Sequence, residues 1–333
     1  MDPKYKELAS RIGLGHSERV ARLFSMIAGD AEADLLLALP ADAPTLSEKL
    51  GIPREEVEDM IHALFVKGLI FPSFKFDPPK YRMGRDMVQF HDAAILWPDA
   101  PQAFLDLWRE WTEEEWPDMA RAMEKTRDKP FMRIIPVGIT LKVQGRILSF
   151  EDVAEIINNS RELAVTKCTC RLVAHKCDKL LEACIQVNNA ASYAIARGTG
   201  RRLTREEALE ICRKAEEEGL IHNTFNARSV DHVICNCCGC CCQILPEHIK
   251  HGIRIVAPSR FRAQIDPDEC SGCETCVDRC YFKAISMDDG TAIVDLEACM
   301  GCGVCAVTCP EEAISMIEVR EPQHVPEKVR SPA

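Results

Sequence analysis

Between Cys270 and Cys309 the chain reads CSGCETCVDRCYF and then, after a short spacer, CMGCGVCAVTCPE. Each half places four cysteines in the spacing C-x2-C-x2-C-x3-C, and the second ends in Cys309-Pro310. Thiols this dense repel as thiolates and oxidise readily unless a metal neutralises them, so a loop of this kind folds around a metal centre. The halves also match outside the cysteines at a constant offset (265 to 294, 284 to 313). Ile265-Asp266 answers Val294-Asp295, and Ala284-Ile285-Ser286-Met287 answers Ala313-Ile314-Ser315-Met316. The offset predicts a duplicated unit of strand, ligand loop, helix and strand, each copy burying its face against the other.

This stretch resembles the two-cluster bacterial ferredoxins. The resemblance implies electron transfer through two [4Fe–4S] clusters, with the fourth cysteine of each run crossing to the other cluster. On this sequence that assigns Cys270, Cys273, Cys276 and Cys309 to one cluster and Cys299, Cys302, Cys305 and Cys280 to the second. Gly272, Gly301 and Gly303 are expected to let backbone amides approach the clusters. Tyr281 stands where such runs often carry proline and leaves the ligands untouched. A zinc site or a disulfide framework is the competing reading, and the duplicated spacing counts against both.

Nineteen cysteines in 333 residues, without an apolar secretory leader at MDPKYKELASRIG, predict a reducing cytoplasm and metal rather than disulfides. No apolar run approaches the length needed to span a bilayer. The net charge is −11, and residues 262–320 carry four basic against twelve acidic groups. That surface favours a basic redox partner protein and disfavours nucleic acid.

The first 95 residues resemble the winged helix-turn-helix of bacterial regulators. A short helix, a turn at Gly51 and a helix opened by Pro53 precede a two-stranded wing in LIFPSFKFDPPKYRM. DNA binding would use the second helix, yet Arg54 and Lys67 stand there against Glu55, Glu56, Glu58 and Asp59. Protein docking is the expectation. Residues 96–147 read as a helical connector, in which Phe104, Leu107, Trp108 and Trp111 share one face and are expected to be core. The stretch PFMRIIPVGITL reads as a strand or extended linker.

A second constellation lies in residues 148–258, expected to be mostly helical. It comprises Cys168, Cys170, Cys177 and Cys184, then Cys235, Cys237, Cys238, Cys240, Cys241 and Cys242 in CNCCGCCC. Cys212 lies with Ala208, Ile211 and Ala215 on a helix face, as a core thiol would. Ten remaining thiolates can support one or two further [4Fe–4S] clusters. They split either by proximity, four from the first group and four from the second, or as one cluster drawing on both. Zinc is the competing metal. His175 and His232 flank the groups as possible ligands or hydrogen-bonding neighbours, and Arg171 is placed to neutralise cluster charge. Thr204 and Glu207 predict a capping box, with Gly219 as the helix stop.

Taken whole, the chain resembles a group of anaerobe 4Fe–4S binding proteins, to which anaerobic metabolism belongs. The expected fold is therefore α+β: the winged-helix-like start, the cysteine-rich middle, a duplicated ferredoxin-like domain at 259–320 and a disordered tail at 321–333. No nucleotide-binding fingerprint is found. Three functions follow: an electron-transfer protein serving a partner oxidoreductase, a redox enzyme with a catalytic cluster at CNCCGCCC, or an iron–sulfur redox-sensing regulator.

Overall fold

The computed structural model of the chain describes residues 2–137, 150–230 and 232–328. They gather into two compact units, one made of the residues up to Glu115 with 172–174 and 197–199, the other of the remainder. Among the described residues no helix is long and apolar enough to cross a membrane.

In the first unit the helical start is two helices, α1 (Pro3–Arg11) and α2 (Glu18–Ile27). Gly13, at φ 83°, turns the chain after the first, and Ser17 accepts a hydrogen bond from the Val20 amide to open the second. After α3 (Asp30–Ala38) come α4 (Ala43–Leu50), a left-handed Gly51 and α5 (Arg54–Lys67). The chain then forms an antiparallel hairpin of β1 (Ile70–Ser73) and β2 (Lys80–Met83). Helix α5 buries Val57, Ile61 and Leu64 and leaves Glu55, Glu56, Glu58 and Asp59 exposed. Helices α6 (Met87–Ala94) and α7 (Gln102–Glu114) complete the core. Phe24 stacks on Phe90 at 4.3 Å, while Phe104, Trp108 and Trp111 meet edge-on and fully buried. The tryptophans are core, as their spacing predicted.

The second unit begins with α8 (Trp116–Thr126), β3 (Met132–Ile135), α9 (Val153–Asn159), β4 (Leu163–Lys167), the start of α10 (Thr169–Ala174, whose last three residues group with the first unit) and β5 (Glu182–Val187). It continues through α11 (Asn189–Ala196), β6 (Arg201–Arg202), α12 (Arg205–Glu217), β7 (Ile221–Phe225), β8 (Val233–Cys237), α13 (Leu245–His251) and β9 (Val256–Ala257). The middle keeps the helices expected of it, Val153–Asn159, Asn189–Ala196 and Arg205–Glu217, but a sheet that the helical expectation did not include lies among them. With β3, which precedes the middle segment, seven strands run in the order β6-β4-β5-β8-β7-β3-β9, antiparallel except for β3 against β9. Runs such as LAVTK, EACIQV and VICNC are too short for stable helices, and their β-branched residues fill a pleated face. One side of the sheet, with Val165, Ile185, Val187 and Ile234, packs on Ile156 and Ile157 of α9 and Ala208 and Cys212 of α12. Cys212 is the core thiol expected. Helix α12 opens on the reciprocal Thr204–Glu207 capping box. The strand expected in PFMRIIPVGITL covers only β3, and residues 138–141 of that stretch lie outside the described residues.

The same unit ends in β10 (Phe261–Ile265), α14 (Thr275–Arg279), β11 (Ile285–Asp288), β12 (Thr291–Val294), α15 (Val304–Val307) and β13 (Ile314–Glu318). The two halves exchange strands. The first strand of the first half pairs with the last of the second, β10 with β13, and β11 pairs with β12. The same exchange appears where the Asp266 amide donates to the Ala313 carbonyl and the Asp295 amide to Ala284, both at 2.8 Å. Left-handed backbone recurs at equivalent places in the two halves, at Gly272 and Gly301, Glu274 and Gly303, Lys283 and Glu312.

Arg260, 1% exposed, joins this part to the middle segment by donating to Glu151, Glu318 and the Arg320 carbonyl. The tail is not free as expected, up to Lys328. Pro322–His324 form a 3-10 turn, Val325 is buried, and Arg228 donates to the carbonyls of Val325 and Pro322 at 3.1 Å. Those backbone bonds and the Val325 contact outweigh the polar, proline-bearing composition of the segment.

Candidate metal centres

In the C-terminal part, Cys270, Cys273, Cys276 and Cys309 line a single cavity closed by Ile265, Ala313 and Ile314. Cys273 is exposed, and the Thr275 side chain and amide hold its thiol below the usual range. Cys280, Cys299, Cys302 and Cys305 form a second neighbourhood. Burial first, then Cys280 and Cys299, pushes the Cys302 thiol up to about 12, and burial followed by Cys302, Cys280 and Cys299 raises the Cys305 thiol. The halves of the duplication thus bring together the two quartets expected, one near the surface and one deeper. At Gly301 a Cβ would lie 2.0 Å from the Phe261 carbonyl oxygen, and at Gly272 2.4 Å from that of Gly290. These glycines are demanded by backbone packing as well as by their left-handed φ.

The ten thiols of the middle segment divide differently from a division by proximity along the chain. Cys177, Cys238, Cys240 and Cys241 converge, every pair within 4.8 Å. Cys177 stands 3.8 Å from Cys238 and 3.7 Å from Cys241, and Cys240 stands 3.8 Å from Cys241. Cys177 reaches this group because the chain leaves α10 through a left-handed His175. The turn after β8 supplies the other three, with the Cys241 amide directed at the Cys238 sulfur at 3.4 Å.

The remaining six thiols form a ring. Cys168 neighbours Cys170 and Cys184, Cys184 neighbours Cys235, Cys235 neighbours Cys237, Cys237 neighbours Cys242, and Cys242 returns to Cys170. Strand register builds it. The pairing of Ile185 with Ile234 brings Cys184 beside Cys235, and Cys235 and Cys237 share one face of β8 two residues apart. Cys168 is drawn well below its usual range by Cys170 and Cys184, and Cys237 down to about 6 by Cys235 and Cys242. The other four are raised, by neighbouring ring thiols and by burial.

Arg171, 3% exposed, lies between the two groups. It donates to the Leu180 carbonyl and, at 3.1 Å, to that of Asn236, and it interacts with Cys168, Cys238 and Cys177. A buried cation there offsets the anionic charge that a thiolate-bound metal leaves behind. Burial pushes the Cys238 thiol up, but the amides of Cys241 and Cys240 and the Arg171 guanidinium outweigh it and bring it to about 7.

Behind the ring, Asn236 donates to the Ala183 carbonyl at 2.7 Å and pairs with His222, which in turn meets Glu216 at 3.0 Å. Sequence reasoning missed this buried polar chain. Its only signal was an asparagine and a histidine placed mid-strand. Neither His175 nor His232 belongs to the converging group; His232 lies edge-on to Phe225 at 5.4 Å.

Tyr281 acquires a role. A Cβ at Gly239 would lie 2.7 Å from Tyr281 Cδ1, so the ring rests on the bare backbone between Cys238 and Cys240. Burial, then the thiols of Cys238 and Cys240, pushes the phenol up to about 12. On either side of Tyr281, Arg279 donates to the Glu217 carbonyl at 2.6 Å, and Phe282 meets the His248 ring at 5.9 Å.

Residues 263–286 and 292–315 each match the 4Fe-4S binding domain family. The two stretches reproduce the duplication, and with the cysteine-rich middle they support multiple [4Fe–4S] clusters in this chain. No curated protein and no solved structure matches the chain.

Proposed function

We propose that the chain is an electron-transfer protein that exchanges electrons with a partner oxidoreductase and relays them between its C-terminal clusters and its middle segment. In this reading Cys270, Cys273, Cys276 and Cys309 hold the outer [4Fe–4S] cluster, which meets the partner at the exposed Cys273. Cys299, Cys302, Cys305 and Cys280 hold the inner one. Thiolate ligation supplies one-electron iron chemistry, and the chain's own residues set position, hydrogen bonding and access to water.

The observation that carries the proposal is the seating of the segment around Cys280. Arg279, Tyr281 and Phe282, its neighbours in sequence, all rest on the middle segment, and Tyr281 rests on the CNCCGCCC turn itself. An inner cluster held at Cys280 therefore lies one aromatic ring from the second set of thiols. The acidic surface suits a basic partner. The first unit is read as a winged helix that docks protein, since α5 exposes carboxylates where DNA would need donors.

The test is rapid reduction of the anaerobic protein by a dithionite-reduced donor, followed cluster by cluster by freeze-quench EPR. Tyr281→Leu is expected to slow the onward step into the middle segment at least several-fold, with both C-terminal clusters still reduced at the native rate. An unaltered onward rate, with clusters intact, would sink the route through Tyr281.

A further inference from the structure

We infer that Cys177, Cys238, Cys240 and Cys241 hold a single tetrahedral metal ion of the zinc class, while the ring of six thiols holds the iron–sulfur cluster of the middle segment. The argument rests on spacing. A metal ion with sulfur ligands at about 2.3 Å in a tetrahedron sets those sulfurs about 3.8 Å apart, the edge of that tetrahedron. The measured separations are 3.8, 3.7 and 3.8 Å, and every pair in the group lies within 4.8 Å. A cube interposes four irons and four sulfides between its thiolates and forces them further apart.

The same molecule supplies the comparison. The C-terminal quartets carry the cube-binding spacing, and neither converges as this group does. Among the described residues this is the one group of metal-ligating side chains whose ligand atoms all lie within 4.8 Å of one another. Instead, Cys270, Cys273, Cys276 and Cys309 stand around an open cavity.

The local chain explains the contraction. The turn Cys238-Gly239-Cys240-Cys241 offers three ligands within four residues, with no two-residue spacers to wrap around a cube. Tyr281 packs directly on Gly239, at the middle of that turn. Four thiolates around a divalent ion leave two negative charges. The Arg171 guanidinium beside Cys238 and Cys177 and the Cys241 amide directed at Cys238 are placed to meet them. Binding releases the protons still held by the four thiols and needs no oxidant or reductant. One iron in the same tetrahedron would satisfy the geometry equally, and the experiment separates the two metals.

The measurement is bound zinc, iron and acid-labile sulfide per chain in the full-length protein purified without oxygen. Cubes contribute iron and sulfide in equal amounts, so the mononuclear site appears as one equivalent of metal in excess of sulfide: zinc on the expected outcome, iron on the other supporting one. Iron equal to sulfide with no bound zinc overturns the inference, and it does so on the unmodified protein. In Cys177→Ser, loss of one metal with sulfide unchanged is expected, whereas Cys168→Ser should lose about four irons together with sulfide. Loss of about four irons and sulfide from Cys177→Ser would also overturn it. A zinc ion there takes no electrons, so the proposed electron route passes it and ends at the cluster of the six-thiol ring; that route is tested separately, on transfer rates rather than on metal counts.

Discussion

The C-terminal halves and the middle segment are both built around thiols, but they gather them by opposite means. In the C-terminal part, three thiols of each quartet sit in one loop of fixed spacing, and small two-stranded sheets merely close the ends. In the middle segment a seven-stranded sheet comes first, and its register delivers thiols that are distant in sequence. The first packs its apolar residues around the ligand cysteines themselves, with Cys276, Cys299 and Cys305 buried among Phe261, Ile285 and Met316, so its core depends on the metal. The second has an apolar core set apart from most of its thiols, with Ile157, Val165, Ile185, Val187 and Ile234 at 2% exposure or less.

Stripping the metals tests that contrast with the largest expected effect. Anaerobic chelation should abolish amide protection across 261–318 while leaving β4, β5, β7 and β8 protected, since metal binding to such a small part is folding free energy. Hydrogen exchange read by mass spectrometry decides it, and equal loss in both regions would erase the distinction. Next in size is Arg260→Leu, which strands the buried Glu151 carboxylate. It should cost about 3–5 kcal/mol in anaerobic denaturant unfolding.

Smaller, and of opposite sign within one pair of equivalent positions, are Gly303→Ala and Glu274→Gly. Both positions are left-handed, at φ 80° and 62°. The first substitution should destabilise by about 1–2 kcal/mol, and the second should stabilise by up to about 1 kcal/mol. Equal signs would show that the halves do not share backbone strain at this place.

These two regions were unequally legible in the sequence. The C-terminal loops could be read because C-x2-C-x2-C is a local geometry, and the resemblance to two-cluster ferredoxins assigned each its fourth thiol. The middle segment misled in two ways. Cys235 and Cys237 read as ligands and hid the alternation that marks β8 as a strand, so the sheet lying among the expected helices was not foreseen. Cys177 was grouped with Cys168 and Cys170 by nearness in sequence, whereas the left-handed turn at His175 sends it to Cys238 and Cys241. No spacing rule encodes a partner fixed by strand register. The capping box at Thr204 and the buried tryptophans, by contrast, were legible because both depend on residues three or four apart.

The strand exchange has a consequence for how the molecule is made. Strand β10 leaves the ribosome well before its partner β13, and between Phe261 and Glu318 the delay is roughly 3 to 11 seconds at about 5–20 residues per second. For most of that interval the first quartet lacks Cys309, and throughout it lacks the completed sheet that closes it. If Cys309 completes the first quartet as proposed, that cluster can be finished only after the chain has emerged through Cys309. A chain truncated by a premature stop shortly after Cys280 would carry bare thiols and no finished site, a form that invites oxidation and rapid disposal.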